Sequence, residues 1–190
     1  MPAPFLLDTN SYFLFFQRPK SPSYLRLAQK LKAESEISFY IAEITSMEIH
    51  SVVGKYRRGS PSQSQPCERK IVAGNKTVNC SNLWISSGRR KMKPKVFRDI
   101  QKMIFDIEAR KGDIQATILE LERGSVESAR ELLLKYADRY SLGSHDALIG
   151  GSLVVARKTK GLDLTLVTSD KGLKAALKDE SIPFYDPVMP

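Results

Sequence analysis

Four carboxylates in this chain stand in contexts that could support chemistry: Asp8, Glu48, Asp146 and Asp170. Asp8 closes the short apolar run Phe5-Leu6-Leu7, and Asp170 follows the run from Leu164 to Ser169. In open parallel sheets active sites collect at the carboxyl ends of strands, so both acids fall at the expected edge. Each also has a plainer reading, because Asp after a strand is often a turn or helix-cap residue. Glu48, in Thr45-Ser46-Met47-Glu48, fits a helix capping box in which it reaches back to the cap backbone. Asp146 shares one helix face with Gly150 and Leu153, and it would complement the helix N-terminus after Ser144. A carboxylate directed at packed surface needs a partner, however, and no neighbouring Lys or Arg in the sequence supplies one. Two carboxylates about 4 Å apart repel by roughly 4 kcal/mol at an effective dielectric near 20. Four that converged would take up protons or recruit a hard cation.

Those acids need elements to position them. Pro4–Leu7 reads as a buried strand giving way to a polar loop at Asp8-Thr9-Asn10. Pro22 opens a helix in which Tyr24, Leu27, Ala28 and Leu31 recur at helical spacing. Ile37–Ala42 reads as a strand, followed by a helix with the stripe Ile49, Val52, Val53, Tyr56 and an end near Gly59. Val96–Ala109, Val126–Tyr136 (with Ser125 as its cap), Ser144–Arg157 and Lys171–Lys178 read as further helices. Leu164–Thr168 and Ile182–Tyr185 read as strands. Strands alternating with helices point to a mainly parallel sheet covered on both faces.

At 190 residues, 42% hydrophobic and 27% charged, the chain suits one well-filled globular core. No apolar run approaches the roughly 18 to 20 residues needed to cross a bilayer, so no membrane role is expected. The start MPAPFLLDTN has no basic stretch before its apolar segment, and it reads as a buried strand in place of a secretion signal. Two cysteines, Cys67 and Cys80, make no disulfide framework, and cytoplasmic residence is the expectation. They also lack the second pair of ligands that a structural zinc site needs.

The net charge of +9 is unevenly spread. Residues 54–95 hold eleven Lys or Arg and one acid, Glu68, while the remainder is nearly neutral. This stretch is rich in Ser, Pro, Gln and Gly, loses the helical period, and reads as a basic insertion with a small hairpin over Lys70–Cys80 turning at Gly74-Asn75. It is either a solubilising loop or a contact for nucleic-acid phosphates. Arg89, Arg90, Lys91, Lys93 and Lys95 are its candidate RNA-binding cations. Trp84 ahead of them could stack on a base, but anchoring the insertion to the body is the preferred reading. His145, beside Asp146, is read as a surface or capping residue and not a general base.

Four segments together carry a resemblance: LLDTNSYF, ITSMEIHSVV, SHDALIGGSLVVA and LTLVTSDKGLKAA. In order and spacing they resemble the PIN domain, most closely the VapC-type toxins of toxin–antitoxin systems, over roughly residues 4–53 and 126–190. The resemblance implies a three-layer α/β/α sandwich with a mainly parallel central sheet; the basic residues at about 54–95 match nothing in the family and read as an insertion into this single domain. It implies that Asp8, Glu48, Asp146 and Asp170 form an acidic quartet holding Mg²⁺ or Mn²⁺, with Asn10 and Thr168 in supporting positions. It further implies RNA hydrolysis, a small antitoxin partner and a homodimer. One departure is plain: family members often carry a second acid close to the last one, whereas Lys171 and Gly172 follow Asp170 here.

Alternatives stay open at this stage. A housekeeping RNA-processing nuclease of the same type would give the basic insertion a defined RNA to serve. A non-catalytic RNA-binding module would keep the fold and use the insertion alone. A haloacid-dehalogenase-like phosphatase is set aside, because its nucleophile loop wants an acid two positions after Asp8, where Asn10 stands.

Overall fold

The computed structural model describes residues 4–33, 36–74 and 76–189. In chain order its elements are β1 (Phe5–Leu7), α1 (Thr9–Phe13), a single 3-10 turn (Leu14–Phe16), α2 (Pro22–Leu31), β2 (Lys32–Ala33), β3 (Glu36–Ala42) and α3 (Glu43–Arg58). Next come β4 (Gln63–Pro66), β5 (Lys70–Ala73), β6 (Lys76–Asn79), β7 (Leu83–Ser86), α4 (Pro94–Glu108) and β8 (Ile114–Leu119). The chain ends with α5 (Arg123–Tyr140), α6 (Ser144–Thr159), β9 (Thr165–Val167), α7 (Lys171–Asp179) and β10 (Phe184–Tyr185). It divides into two compact units, Met1–Ser51 with Ile100–Pro190, and Val52–Asp99.

The first unit is built on a parallel sheet in the order β10-β9-β1-β3-β8, with β2 antiparallel to the start of β3. Alternation along the strands gives both faces an apolar surface, so both must be covered. Leu6, Ala42, Leu119 and Leu166 face a core with Leu132 and Tyr136 of α5, Ile149 and Leu153 of α6, and Leu173 and Leu177 of α7. Phe39 of β3 instead meets Tyr12 and Phe15, whose ring centroids lie 5.8 and 5.2 Å from its own. Phe16 and Tyr24 extend that aromatic cluster. This is the expected α/β sandwich with a mainly parallel sheet.

Close helix packing depends on glycine at one point. A Cβ at Gly151 of α6 would lie 2.2 Å from the Ser125 carbonyl oxygen of α5, so the two helices touch backbone to backbone there. Ser125 is therefore buried inside α5 and is not its cap; Glu122 holds the cap position. Three further local expectations change. Asp8-Thr9-Asn10 is no polar loop, because Asp8 caps a short helix through Ser11. The capping box at Thr45 is absent because α3 already begins at Glu43, which leaves Thr45 buried with no partner for its hydroxyl among the described residues. Strand β8, which lies beside β3, was not legible in the sequence at all.

In the Val52–Asp99 unit, β4 pairs with β7 and β5 with β6, both antiparallel. Backbone bonds from Cys67 to Asn82 and from Cys80 to Arg69 keep the same register between the two pairs. Residues 63–73 and 76–86 thus form one long two-stranded ribbon. Its tip holds Gly74 at φ +63°, the left-handed region a tight turn favours; Asn75, the other expected turn residue, lies outside the described residues. At the base, Ser60 N–H donates to the Arg89 carbonyl and Arg89 N–H to the Ser60 hydroxyl. Among the described residues no helix is long and apolar enough to cross a membrane.

Candidate active site

Parallel registry brings the ends of three strands to one level: Leu7 of β1 lies beside both Val167 of β9 and Ile41 of β3. The residues that follow these ends, together with the first turn of α6, carry all four candidate acids. Asp8, buried at 3% exposure, accepts a 2.7 Å bond from Ser11 N–H at the start of α1. Its backbone N–H and the Ser11 hydroxyl both donate to the Val167 carbonyl, pinning α1 to β9. Thr168 joins two of the acids. Its side chain bonds to the Asp8 carboxylate, and its hydroxyl oxygen accepts the Asp170 N–H at 3.1 Å. Asp170 caps α7 through a 2.7 Å bond from Leu173 N–H.

Glu48 reaches the same region from α3. One carboxylate oxygen accepts a 2.5 Å bond from the Thr9 hydroxyl, and the other lies 3.5 Å from His145 Nδ1. Thr9 escaped the sequence reading, where its place next to Asp8 was the sole signal. His145 is exposed as expected, yet its ring faces Glu48, which a reading of it as only a surface or capping residue misses. Asp146 stands in the first turn of α6, with Gly143 at the helix cap, and a Cβ on Gly143 would crowd its Oδ2 at 3.2 Å.

Electrostatics tie the four together. Burial pushes the Asp8 carboxyl up to about 6, against its hydrogen bonds from Thr168 and Ser11, and Asp146 adds to the rise. Burial also raises Asp146, reinforced by the charges of Asp170 and Glu48 and opposed by the Gly143 N–H and His145. Asp146 is thus the acid that feels all three others. Among the described residues no Lys or Arg forms an ion pair with any of the four. Mutual repulsion without a cationic partner favours protons or a cation at this place.

The donor set is all carboxylate and hydroxyl oxygen, which suits a hard divalent ion. Among the described residues no three His, Cys, Asp or Glu side chains close into a ready ligand cluster. A hard ion such as Mg²⁺ commonly keeps several waters and takes only one or two carboxylates. Asp8 and Asp146, each raised by burial and by the other acids, are the residues that could hold one.

The supporting residues separate. Thr168 is buried between Asp8 and Asp170, whereas Asn10 is exposed on α1. Asp186, distant from Asp170 in sequence, comes close through Ser169, whose hydroxyl donates to it at 2.8 Å. Lys174 pairs with Asp186 and neutralises it, so it does not replace the missing second acid. In the other unit Arg89, Arg90, Lys91, Lys93 and Lys95 are all exposed. Trp84 is 59% exposed, with the Arg69 guanidinium 5.7 Å from its ring centroid. An indole this open is a poor anchor, so that expectation is corrected.

No protein-family model matches the chain, and no curated protein matches it in sequence. Solved structures do. FitAcB from Neisseria gonorrhoeae is similar at 15% identity over 98% of this chain and 99% of that one, with a TM-score of 0.55. DNA-bound VapBC from Salmonella typhimurium is similar at 15% identity over 97% and 98%, with a TM-score of 0.50. VapBC2 from Rickettsia felis, bound to a DNA fragment from its promoter, gives 15%, 96% and 97%, also with a TM-score of 0.50. At such identity the likeness is one of fold: the chain has the PIN-like architecture of these proteins.

Proposed function

We propose that this chain is a Mg²⁺- or Mn²⁺-dependent endoribonuclease and acts as the toxin of a toxin–antitoxin pair. The observation that carries the reading is the meeting of Asp8, Glu48, Asp146 and Asp170 at one sheet edge, with Asp146 raised by Asp170 and Glu48 and, among the described residues, no Lys or Arg paired to any of them. Acids serving only as caps would have no reason to gather where their charges oppose one another.

In this reading Asp8 and Asp146 hold the ion, and Glu48 and Asp170 complete the site or position water. A divalent ion bound there supplies charge neutralisation on the scissile phosphate and activation of water. Thr168 fixes the Asp8 carboxylate and the Asp170 backbone in one geometry. Thr9 orients Glu48 through their 2.5 Å bond, leaving the second Glu48 oxygen toward His145. The depth of Asp8 shields its charge from water, which strengthens its grip on a cation relative to an exposed carboxylate.

A small antitoxin would silence the site by covering the acids, for instance with a basic side chain. The fold shared with FitAcB and VapBC supports looking for such a partner here. The test is cleavage of structured and unstructured RNA in Mg²⁺, Mn²⁺ and chelator, with wild type beside Asp8→Asn. Metal-dependent cleavage lost in the variant is expected; undiminished cleavage by Asp8→Asn refutes the assignment. Growth arrest on expression, relieved by the same substitution, separates a toxin from a housekeeping enzyme of the same chemistry.

A further inference from the structure

The Val52–Asp99 unit presents a surface that the acid cluster does not explain. Its two-stranded ribbon exposes Trp84 and Arg69 together, the guanidinium 5.7 Å from the indole centroid. In the ribbon's register Trp84 lies opposite Gln65, and the Cys80 N–H donates to the Arg69 carbonyl on the facing strand. Arg69 therefore reaches along the ribbon to meet the indole. The two side chains line an open cleft of about 720 Å³ shared with Cys67, Lys70, Asn82 and Leu83.

Charge selects the occupant. Over residues 54–95 eleven cations face a single acid, Glu68. At the ribbon's base Arg89 lies over the Tyr56 ring, and Arg90, Lys91 and Lys93 are exposed in the segment that follows β7. A surface that offers one flat aromatic face beside closely spaced cations matches a ligand with aromatic faces and regular negative charge. A protein partner that buried Trp84 would need to supply many acids as well. A duplex would present phosphates but keep its bases stacked on one another.

We infer that the cleft at Trp84 and Arg69 binds single-stranded nucleic acid, a base stacking on the indole while Arg69, Lys70 and the Arg89–Lys93 segment meet phosphates. This goes beyond the hydrolytic reading and stands even if that reading fails, because it uses none of the four acids.

Trp84 is the sole tryptophan of the chain, so its fluorescence reports the cleft directly. The full chain is titrated with single-stranded oligoadenylate in chelator, where binding is read whether or not the acids can cleave. Strong quenching is expected, weakening as salt rises. A duplex of the same length should bind with little quenching, since its bases cannot stack on the indole. By anisotropy of a labelled oligoadenylate, Trp84→Ala should weaken binding roughly tenfold and Trp84→Phe much less, as expected for loss of one stacked base. Far-UV spectra of both variants check that the chain still folds. Binding without quenching, unchanged affinity in Trp84→Ala, or equal quenching by polyglutamate each overturns the inference.

Discussion

Replacing Asp8 by Asn should make the metal-free protein more stable at neutral pH, although the residue is buried and hydrogen-bonded. The sign follows from the raised carboxyl. Its ordinary value is 3.8 and burial lifts it to about 6 in the folded chain. Below the unfolded value both states hold the proton and no penalty exists. Between the two values the folded state keeps the proton that the unfolded state has released, so stability falls as pH rises. Above about 6 both states are ionised and the penalty is complete. A shift of about two units corresponds to about 3 kcal/mol, at roughly 1.4 kcal/mol per unit. Asn keeps an oxygen to accept from Ser11 N–H and an amide to donate to the Thr168 hydroxyl, so the helix cap survives. Weaker neutral hydrogen bonds offset part of the gain. The net expectation is about 1 to 3 kcal/mol of added stability at pH 7.5 in chelator, or a Tm higher by roughly 3 to 9 °C for a chain of this size. At pH 4 the difference should vanish. Mg²⁺ or Mn²⁺ should then raise the wild-type Tm and leave that of the variant unmoved. A variant less stable than wild type at pH 7.5, or one whose gain persists unchanged at pH 4, would refute the reasoning.

Further substitutions probe separate contacts. Thr168→Val removes both the side-chain bond to Asp8 and the acceptor for Asp170 N–H, so chemical denaturation should show a loss of about 1 to 3 kcal/mol and RNA cleavage should fall, with Thr168→Ser retaining most of both. Thr9→Val takes the hydroxyl from Glu48 at little cost to the core; kcat should drop while the Tm moves by only a few degrees. Gly151→Ala drives a methyl into the Ser125 carbonyl, and thermal melting should show a loss of at least about 1 to 3 kcal/mol as α5 and α6 are forced apart.

The acids at strand ends were legible because the signal is local. A short apolar run ending in Asp appears both at Leu7-Asp8 and near Val167-Thr168, and parallel pairing of β1 with β9 does the rest. The small residues of α6 likewise announced close packing, and Gly151 against α5 is where it occurs. Glu48 stood out in the sequence through the family resemblance, with a capping box as its plainer reading. Its capping-box pattern is real in the sequence, but α3 starts at Glu43, and the carboxylate is held by a threonine 39 residues away in the chain. Such a partner has no local signature. Strand β8 escaped because Gln115 and Thr117 interrupt its apolar residues, which gain their meaning only beside β3. The ribbon was legible only near its tip: Gly74 marks the turn, whereas the Gln- and Ser-rich β4 has no apolar period and is held by pairing to β7.

Titration of the metal-free chain with Mn²⁺, followed by the loss of the free-ion paramagnetic signal, addresses the shared pocket most directly. The account predicts that wild type binds the ion, that Asp8→Asn and Asp146→Asn each abolish or strongly weaken binding, and that Glu48→Gln and Asp170→Asn weaken it to a lesser degree. Binding that survives unchanged in both Asp8→Asn and Asp146→Asn would contradict it.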